Sequence, residues 1–251
     1  MTELAYLTDI ESAYQTRFRA RVTALPPRGV VLDRTYFYPT GGGQPADRGL
    51  LKTAGTEVEV VDVTKTGASV IHRLSPSAGS PRGFTVGAEV EGWVDWPRRH
   101  RHMRLHTAQH VLSARLWVRA GVKTRRANLS GMGATLDLDG PVDAAYLSLL
   151  EEDLREAVEH PRSVVVRMVP RAEWDRHPTA ERSGLVPLPP QVDPVRVVVV
   201  EGLDECPCGG THVRSTREVG ALRISPPALM EGGFSRVAFT LVDPGPTTPP
   251  A

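Results

Sequence analysis

Cysteine is almost missing from this chain: there are two, Cys206 and Cys208, both inside the tripeptide CPC. They lie too close together for an easy disulfide and have no third partner, which excludes a disulfide framework and leaves a metal or redox role in a reducing compartment. Long apolar runs are missing too. Nothing approaches the roughly 18 to 20 residues that span a bilayer, and the opening MTELAYLTDIESAY has neither the basic start nor the apolar stretch of a secretion signal, so a cytoplasmic protein is expected. Acidic residues are absent from one segment. From Trp96 to Leu136 there are nine Lys or Arg and no Asp or Glu, so this stretch carries +9 while the rest of a chain of net charge +1 sums to −8. Such a cluster is either a solvated helix face or a polyanion footprint beside a site. What is plentiful is apolar content, 40% of 251 residues, enough for real cores in one large or two modest domains.

Residues 1–96 read as β structure. Alternating runs such as RFRARVTAL, GVVLDRTYFYP, EVEVVDVTK, ASVIHRL and AEVEGWVDW are separated by Gly, Pro and Ser clusters, the pattern of a small barrel or sandwich, and YPTGGGQPADRG lies between two of them. The pattern changes at Pro97. From Arg98 to Ala120 apolar residues recur at Leu105, Ala108, Leu112 and Leu116, and Gly121 closes the run, which predicts a helix. A strand GATLDLD, a second helix over about 142–160, strands SVVVRMV and VRVVVVEG joined by LVPLPPQVDPV, and strands EVGALRIS and FSRVAFTLV complete an α+β domain over 97–243, with helices on a mostly antiparallel sheet. Residues 244–251 read as a disordered tail.

The chemistry centres on HTAQH. His106 and His110 stand four apart on the predicted helix, so both imidazoles leave one face. Thr107 occupies the place where a zincin protease needs its glutamate base, which sets that class aside. About a hundred residues on, DECPCGGTHV supplies Cys208 and His212. Two close pairs of Cys and His donors from distant segments suit four-coordinate zinc, and Gly209 and Gly210 let the second pair converge. Cys206 as the true thiolate stays open.

HTAQH with CGGTH, together with LDRTYFYPTGGGQPADRG and VDWPRRHRHMRLHTAQHVLSA, resembles the editing domain of alanyl-tRNA synthetase and its free-standing relatives, the AlaX trans-editing proteins. The likeness runs from about Leu32 to Val242. Threonyl-tRNA synthetase carries a related pair of motifs, and GGGQ favours the alanyl branch. With no aminoacylation core ahead of the barrel, the resemblance implies the longer AlaX type acting in trans. Its implied substrate is tRNA(Ala) mischarged with serine, or with glycine, its reaction ester hydrolysis, and its cofactor one zinc per chain held by His106, His110, Cys208 and His212; no obligate protein partner is implied.

His106, His110, Gln44 and Thr124 form the expected catalytic set. Discriminating serine from alanine demands a group that hydrogen-bonds the extra hydroxyl; Thr107, Gln109, Thr124, Asn128, Thr211, Thr40 and Gln44 are the candidates, because the family's reader position lands near Ala127. Four protein ligands close a tetrahedral site that catalysis needs open, and His212, at the end of the GGTH loop, is the ligand expected to yield. Arg98, Arg99, Arg101, Arg115, Arg119, Lys123, Arg125 and Arg126 are the expected tRNA contacts. Competing readings are a non-catalytic zinc-stabilised tRNA-binding module, a threonyl-type editing domain and a metal-dependent hydrolase of small esters.

Overall fold

The computed structural model describes residues 1–76, 83–181, 188–230, 232–243, 245 and 248–249, and the chain divides into two compact units. The expected tail over 244–251 falls mostly outside the described residues, as do the first residues of LVPLPPQVDPV. Among the described residues no helix is long and apolar enough to cross a membrane.

The first unit, chiefly Met1–Gly41 with Pro45–His100, is a barrel. Strands β1 (Glu3–Leu4), β2 (Arg17–Ala24), β3 (Gly29–Leu32), β4 (Arg34–Thr35), β5 (Gly49–Lys52), β6 (Glu57–Thr66), β7 (Ser69–Leu74) and β8 (Glu89–Val94) follow in order. Six of them close in the order β2-β3-β7-β6-β5-β8 with every pair antiparallel. Alternation does the work in β2, where Phe18, Ala20 and Val22 are buried and Arg17, Arg19 and Arg21 are exposed. They pack on Val30, Leu32, Phe37, Leu51, Val60 and Val63, and each such Val, Leu or Phe side chain taken from water stabilises by about 1.5–3 kcal/mol. The closing strand β5, GLLK, is too short and too poor in β-branched residues to announce itself by periodicity.

His72 and Arg99 are among the polar side chains sealed into this unit. His72 donates from Nδ1 to the Val30 carbonyl at 3.0 Å while Nε2 lies 2.8 Å from the Thr35 hydroxyl, and burial lowers its pKa to about 4 against the pull of the Val30 carbonyl. Arg99 is fully buried: Nε reaches both carboxylate oxygens of Asp47, at 3.1 and 3.0 Å, and the outer nitrogens donate to Asp47 and to the carbonyls of Ala13 and Tyr36. Arg99 was expected to hold tRNA phosphates. Its guanidinium is instead saturated by buried acceptors and unavailable to a ligand.

The second unit holds Gly42–Gln44 and Arg101–Pro244. Its elements are α1 (Trp96–Ala120, whose first residues lie in the barrel unit), β9 (Thr124–Asn128), β10 (Gly133–Leu138), α2 (Ala145–Glu159), β11 (Val164–Val169), α3 (Arg171–Trp174), β12 (Val195–Val200), β13 (Asp204–Pro207), β14 (Leu222–Ile224), β15 (Ala228–Met230) and β16 (Phe234–Leu241). One antiparallel sheet runs β14-β16-β10-β9 with β15 on β16, and a second runs β11-β12-β13. With the barrel, this makes the chain α+β as expected. EVGALRIS is not one strand: a 3-10 turn over Thr216–Val219 and Gly220 at φ +69° precede β14. In α2 the buried residues are Leu150, Asp153, Leu154 and Ala157.

Helix α1 departs from a simple amphipathic pattern. Leu105, Ala108, Leu112 and Leu116 are fully buried, yet every residue from His102 to Ala114 is buried as well. A helix enclosed on all sides must pair its charges. Arg104 does so, donating from Nε to the Val219 carbonyl at 2.9 Å and bracketing the Asp243 carboxylate at 3.1 and 2.9 Å.

Two measurements test these buried groups. A histidine held neutral in the fold contributes stability that is full above its unfolded pKa of about 6.5 and is lost as pH falls towards about 4. Unfolding free energy should therefore drop by on the order of 3 kcal/mol more in the parent than in His72→Asn over that window; parallel pH profiles would refute this. Asp47→Ala, which strands the Arg99 charge, should cost about 3–5 kcal/mol in urea unfolding.

Candidate metal centre

Helix α1 and the segment after β13 build the centre. His106 and His110 are one turn apart on α1, and Cys208 and His212 come from the CGGTH loop. One ligand atom from each of the four lies within 4.8 Å of all the others. Cys208 Sγ sits 3.5 Å from His106 Nε2 and 3.3 Å from His212 Nε2, and the His212 ring lies 4.3 and 4.6 Å from the His106 and His110 ring centres.

Each imidazole is aimed by a different partner at Nδ1. His106 Nδ1 donates to Gln44 Oε1 at 2.8 Å, His110 Nδ1 to Asp204 Oδ2 at 2.8 Å, and His212 Nδ1 lies 3.1 Å from Thr107 Oγ1. The Gln44 amide cannot be reversed without loss, because Oε1 also accepts the Thr211 N–H at 3.3 Å while Nε2 donates to the Thr211 hydroxyl at 2.9 Å. With Nδ1 engaged, Nε2 of each ring is left for the centre, the arrangement that metal-ligating histidines show. The donor chemistry, three imidazoles and a thiolate in near contact, fits a four-coordinate metal ion.

Charge among the four donors is ordered by their neighbours. Burial pushes the Cys208 thiol up, but the neighbouring His106 and His212 rings and hydrogen bonds from His106 and His110 bring it well below the usual thiol range. Burial opposes a charged His110, yet its bonds to Asp204 and Cys208 and their charges raise it to about 10. Burial and the charge of His106 hold His212 well below the ordinary imidazole value. A metal held by these donors would need Cys208 as a thiolate and the imidazoles neutral, so its binding would release protons and strengthen with pH.

Glycine is required at two points. A Cβ on Gly210 would lie 2.1 Å from His106 Cε1, whereas one on Gly209 would meet nothing within 4 Å. In GGGQ, Gly43 has φ +85° and its Cβ would lie 2.3 Å from the Ala127 carbonyl; its own carbonyl accepts the Leu129 N–H at 2.9 Å. That pairing holds Gln44 beside His106.

The other expected residues divide. Thr124, on β9, bonds Ser113 Oγ at 2.7 Å, and Ser113 accepts from Gln109 Nε2 at 3.0 Å, so Gln109, Ser113 and Thr124 form a hydrogen-bonded row springing from α1. Ala127 is buried without a hydroxyl, Asn128 is exposed, and Thr40 belongs to the barrel unit, where it accepts the Ala46 N–H at 3.1 Å. Gln44 and Thr107 orient His106 and His212, and Thr211 holds Gln44. His212 is the most enclosed ligand, fully buried and backed by Thr107, which runs against its expected looseness; Cys208 is the one ligand only partly buried. Asp204 was missed by the sequence reading because a lone carboxylate four residues before Cys208 carries no local signal.

The basic segment is dispersed. Arg119 is bidentate to Asp153 at 2.6 and 2.7 Å, with Arg115 4.0 Å from the same carboxylate. Lys123 pairs with Glu181 at 3.4 Å, Arg98 donates to the Ala46 carbonyl, and Arg101 approaches the Met132 sulfur at 3.5 Å. Arg125 and Arg126 are exposed on β9, Arg125 over the Phe234 ring.

Residues 5–98 match the family model described as tRNA synthetases class II (A), and 195–235 match the threonyl and alanyl tRNA synthetase second additional domain. Alanyl-tRNA editing proteins AlaX-M from Methanosarcina barkeri and Methanosarcina acetivorans are each 33% identical over 97% of this chain and 100% of their own length. The chain belongs to the AlaX family. Similarity extends to the alanine–tRNA ligase of Pyrococcus abyssi, 36% identical over 91% of the chain, which this chain matches over only 25% of its length. The AlaX chain thus spans about a quarter of the ligases it resembles. Its GGGQ loop and CGGTH loop fall on the two matched segments, and the histidine helix lies between them.

The two loop glycines provide a test within one tripeptide. Gly210→Ala should lose most of its bound metal by elemental analysis while Gly209→Ala keeps it; equal occupancy would show that the CGGTH backbone does not position His106.

Proposed function

We propose that this protein hydrolyses the ester of mischarged tRNA(Ala), chiefly with serine and also with glycine, in trans, using one zinc ion held by His106, His110, Cys208 and His212. The observation that carries it is the four-donor cluster with every histidine braced at Nδ1, in a chain matching AlaX-M proteins from end to end. When bound, zinc supplies Lewis acidity to a carbonyl and lowers the pKa of water.

The protein's own residues do the rest. Gln44, Asp204 and Thr107 fix the imidazoles so that no reorganisation is needed when an ester enters. Burial of α1 keeps bulk water from the centre and strengthens each electrostatic contact there. The reading of the serine hydroxyl falls to Thr124, since the family's reader position lands near Ala127, which has no hydroxyl, and Thr124 is held by Ser113 and Gln109. Phosphates fall first to Arg125 and Arg126, then to Arg98 and Arg101, with Arg115 and Arg119 sharing one carboxylate and so keeping one net positive charge between them.

The test is ester loss from Ser-tRNA(Ala), Gly-tRNA(Ala) and Ala-tRNA(Ala) in parallel. Rapid loss of the serine ester with the alanine ester largely intact is expected, and zinc chelation should abolish it. Binding without selective turnover would instead support a zinc-stabilised tRNA-binding module. Thr124→Val should reduce serine-ester kcat/KM by about 10-fold or more while leaving glycine-ester hydrolysis, which has no hydroxyl to read, nearly unchanged.

A further inference from the structure

A second set of donors abuts the first. Asp204 and Cys206 are two residues apart on β13, so their side chains share a face of that strand. That face meets His110: Asp204 Oδ2 is 2.8 Å from His110 Nδ1, and one donor atom from each of His110, Asp204 and Cys206 lies within 4.8 Å of the other two. His110 and Asp204 are buried and Cys206 is part-buried, so the set is enclosed yet reachable. An imidazole has two nitrogens, and His110 stands between the two sets.

We infer that His110, Asp204 and Cys206 form a second cation site for a thiophilic divalent ion such as zinc or cadmium. Thiolate, imidazole nitrogen and carboxylate are the donors such ions take, and three protein ligands leave a fourth tetrahedral position for water. Entry of the ion releases the Cys206 thiol proton and the His110 Nδ1 proton to solvent. Asp204 brings its negative charge already formed. No oxidation state changes. The site rests on the proposed four-ligand centre through His110 and through Asp204, whose hydrogen bond to His110 Nδ1 the second ion would replace, and it gives Cys206 a role separate from that of Cys208.

Metal counting separates the two. The full chain would be saturated with Cd²⁺ by equilibrium dialysis, the bound ions counted by elemental analysis, and thiolate-to-metal absorption followed in the ultraviolet. The parent should hold two ions per chain, Cys206→Ala one and Cys208→Ala one. Asp204→Asn, which keeps the side-chain shape and a hydrogen-bonding group, should weaken the second ion by about 10-fold or more. Saturation of the parent at one ion, or two ions in Cys206→Ala, would overturn the second site. A Cys208→Ala variant that bound as many ions as the parent, while Cys206→Ala bound one fewer, would overturn the four-ligand centre and leave this site standing.

Discussion

Three imidazoles and one thiol stay in near contact only because each ring gives its Nδ1 to a different element: the glycine-rich loop through Gln44, strand β13 through Asp204, and α1 itself through Thr107. Unbraced, four buried polar donors at this spacing would be costly, since each would lose water without gaining a partner. The braces also select a tautomer. At His106 and His110, whose Nδ1–H faces an acceptor that cannot donate, Nε2 is the nitrogen turned to the other donors. Much else in this unit follows from the demand: Gly43 must approach Ala127 closely so that Gln44 reaches His106, and Gly210 must lack a side chain so that Cys208 and His212 can flank it.

Enclosure has a second consequence, for charge. Burial of Arg99 and Arg104 takes two of the nine basic residues out of solvent, so a segment that is +9 in the sequence presents less positive charge in space. Arg99 and Arg104 serve as internal ties, to Asp47 and Asp243, and Arg119 is clamped by Asp153. All three carboxylates come from outside the basic segment. Linear charge patterning therefore overstates the charge this segment presents, because pairing over separations of 52, 139 and 34 residues is invisible locally.

The same contrast governs what the sequence discloses elsewhere. Period-two alternation in β2 and three-four spacing in α1 are physical consequences of burial on one face, so both elements are legible from residues alone. Strands β5, β9 and β13 are four or five residues long and owe their pairing to neighbours, so they are not. In the site, His106, His110, Cys208 and His212 stand out because chemistry restricts which residue types occur at such spacing. Asp204 and Thr107 are common residues made special by position, and Gln44 could be singled out by its motif but not assigned its partner. Arg99 shows the converse error, a residue whose type suggests a ligand and whose burial makes it a structural tie.

Coordination then poses a geometric question that the braces help to answer. A tetrahedral ion held by all four residues would have no open position, so the proposed hydrolysis would need a fifth position or a donor that gives way. His212 has the least freedom: its ring is sealed from solvent, lies against two other rings and is backed by Thr107, which also accepts the Val213 N–H. Cys208 is the only one of the four that is partly exposed, and the Gly210 N–H donates to its sulfur at 3.3 Å. The flexibility that two glycines suggest in sequence is spent on fitting the loop around His106. An ester approaching beside Cys208 would meet the least enclosed of the four donors, with His106, His110 and His212 held by their Nδ1 partners behind it.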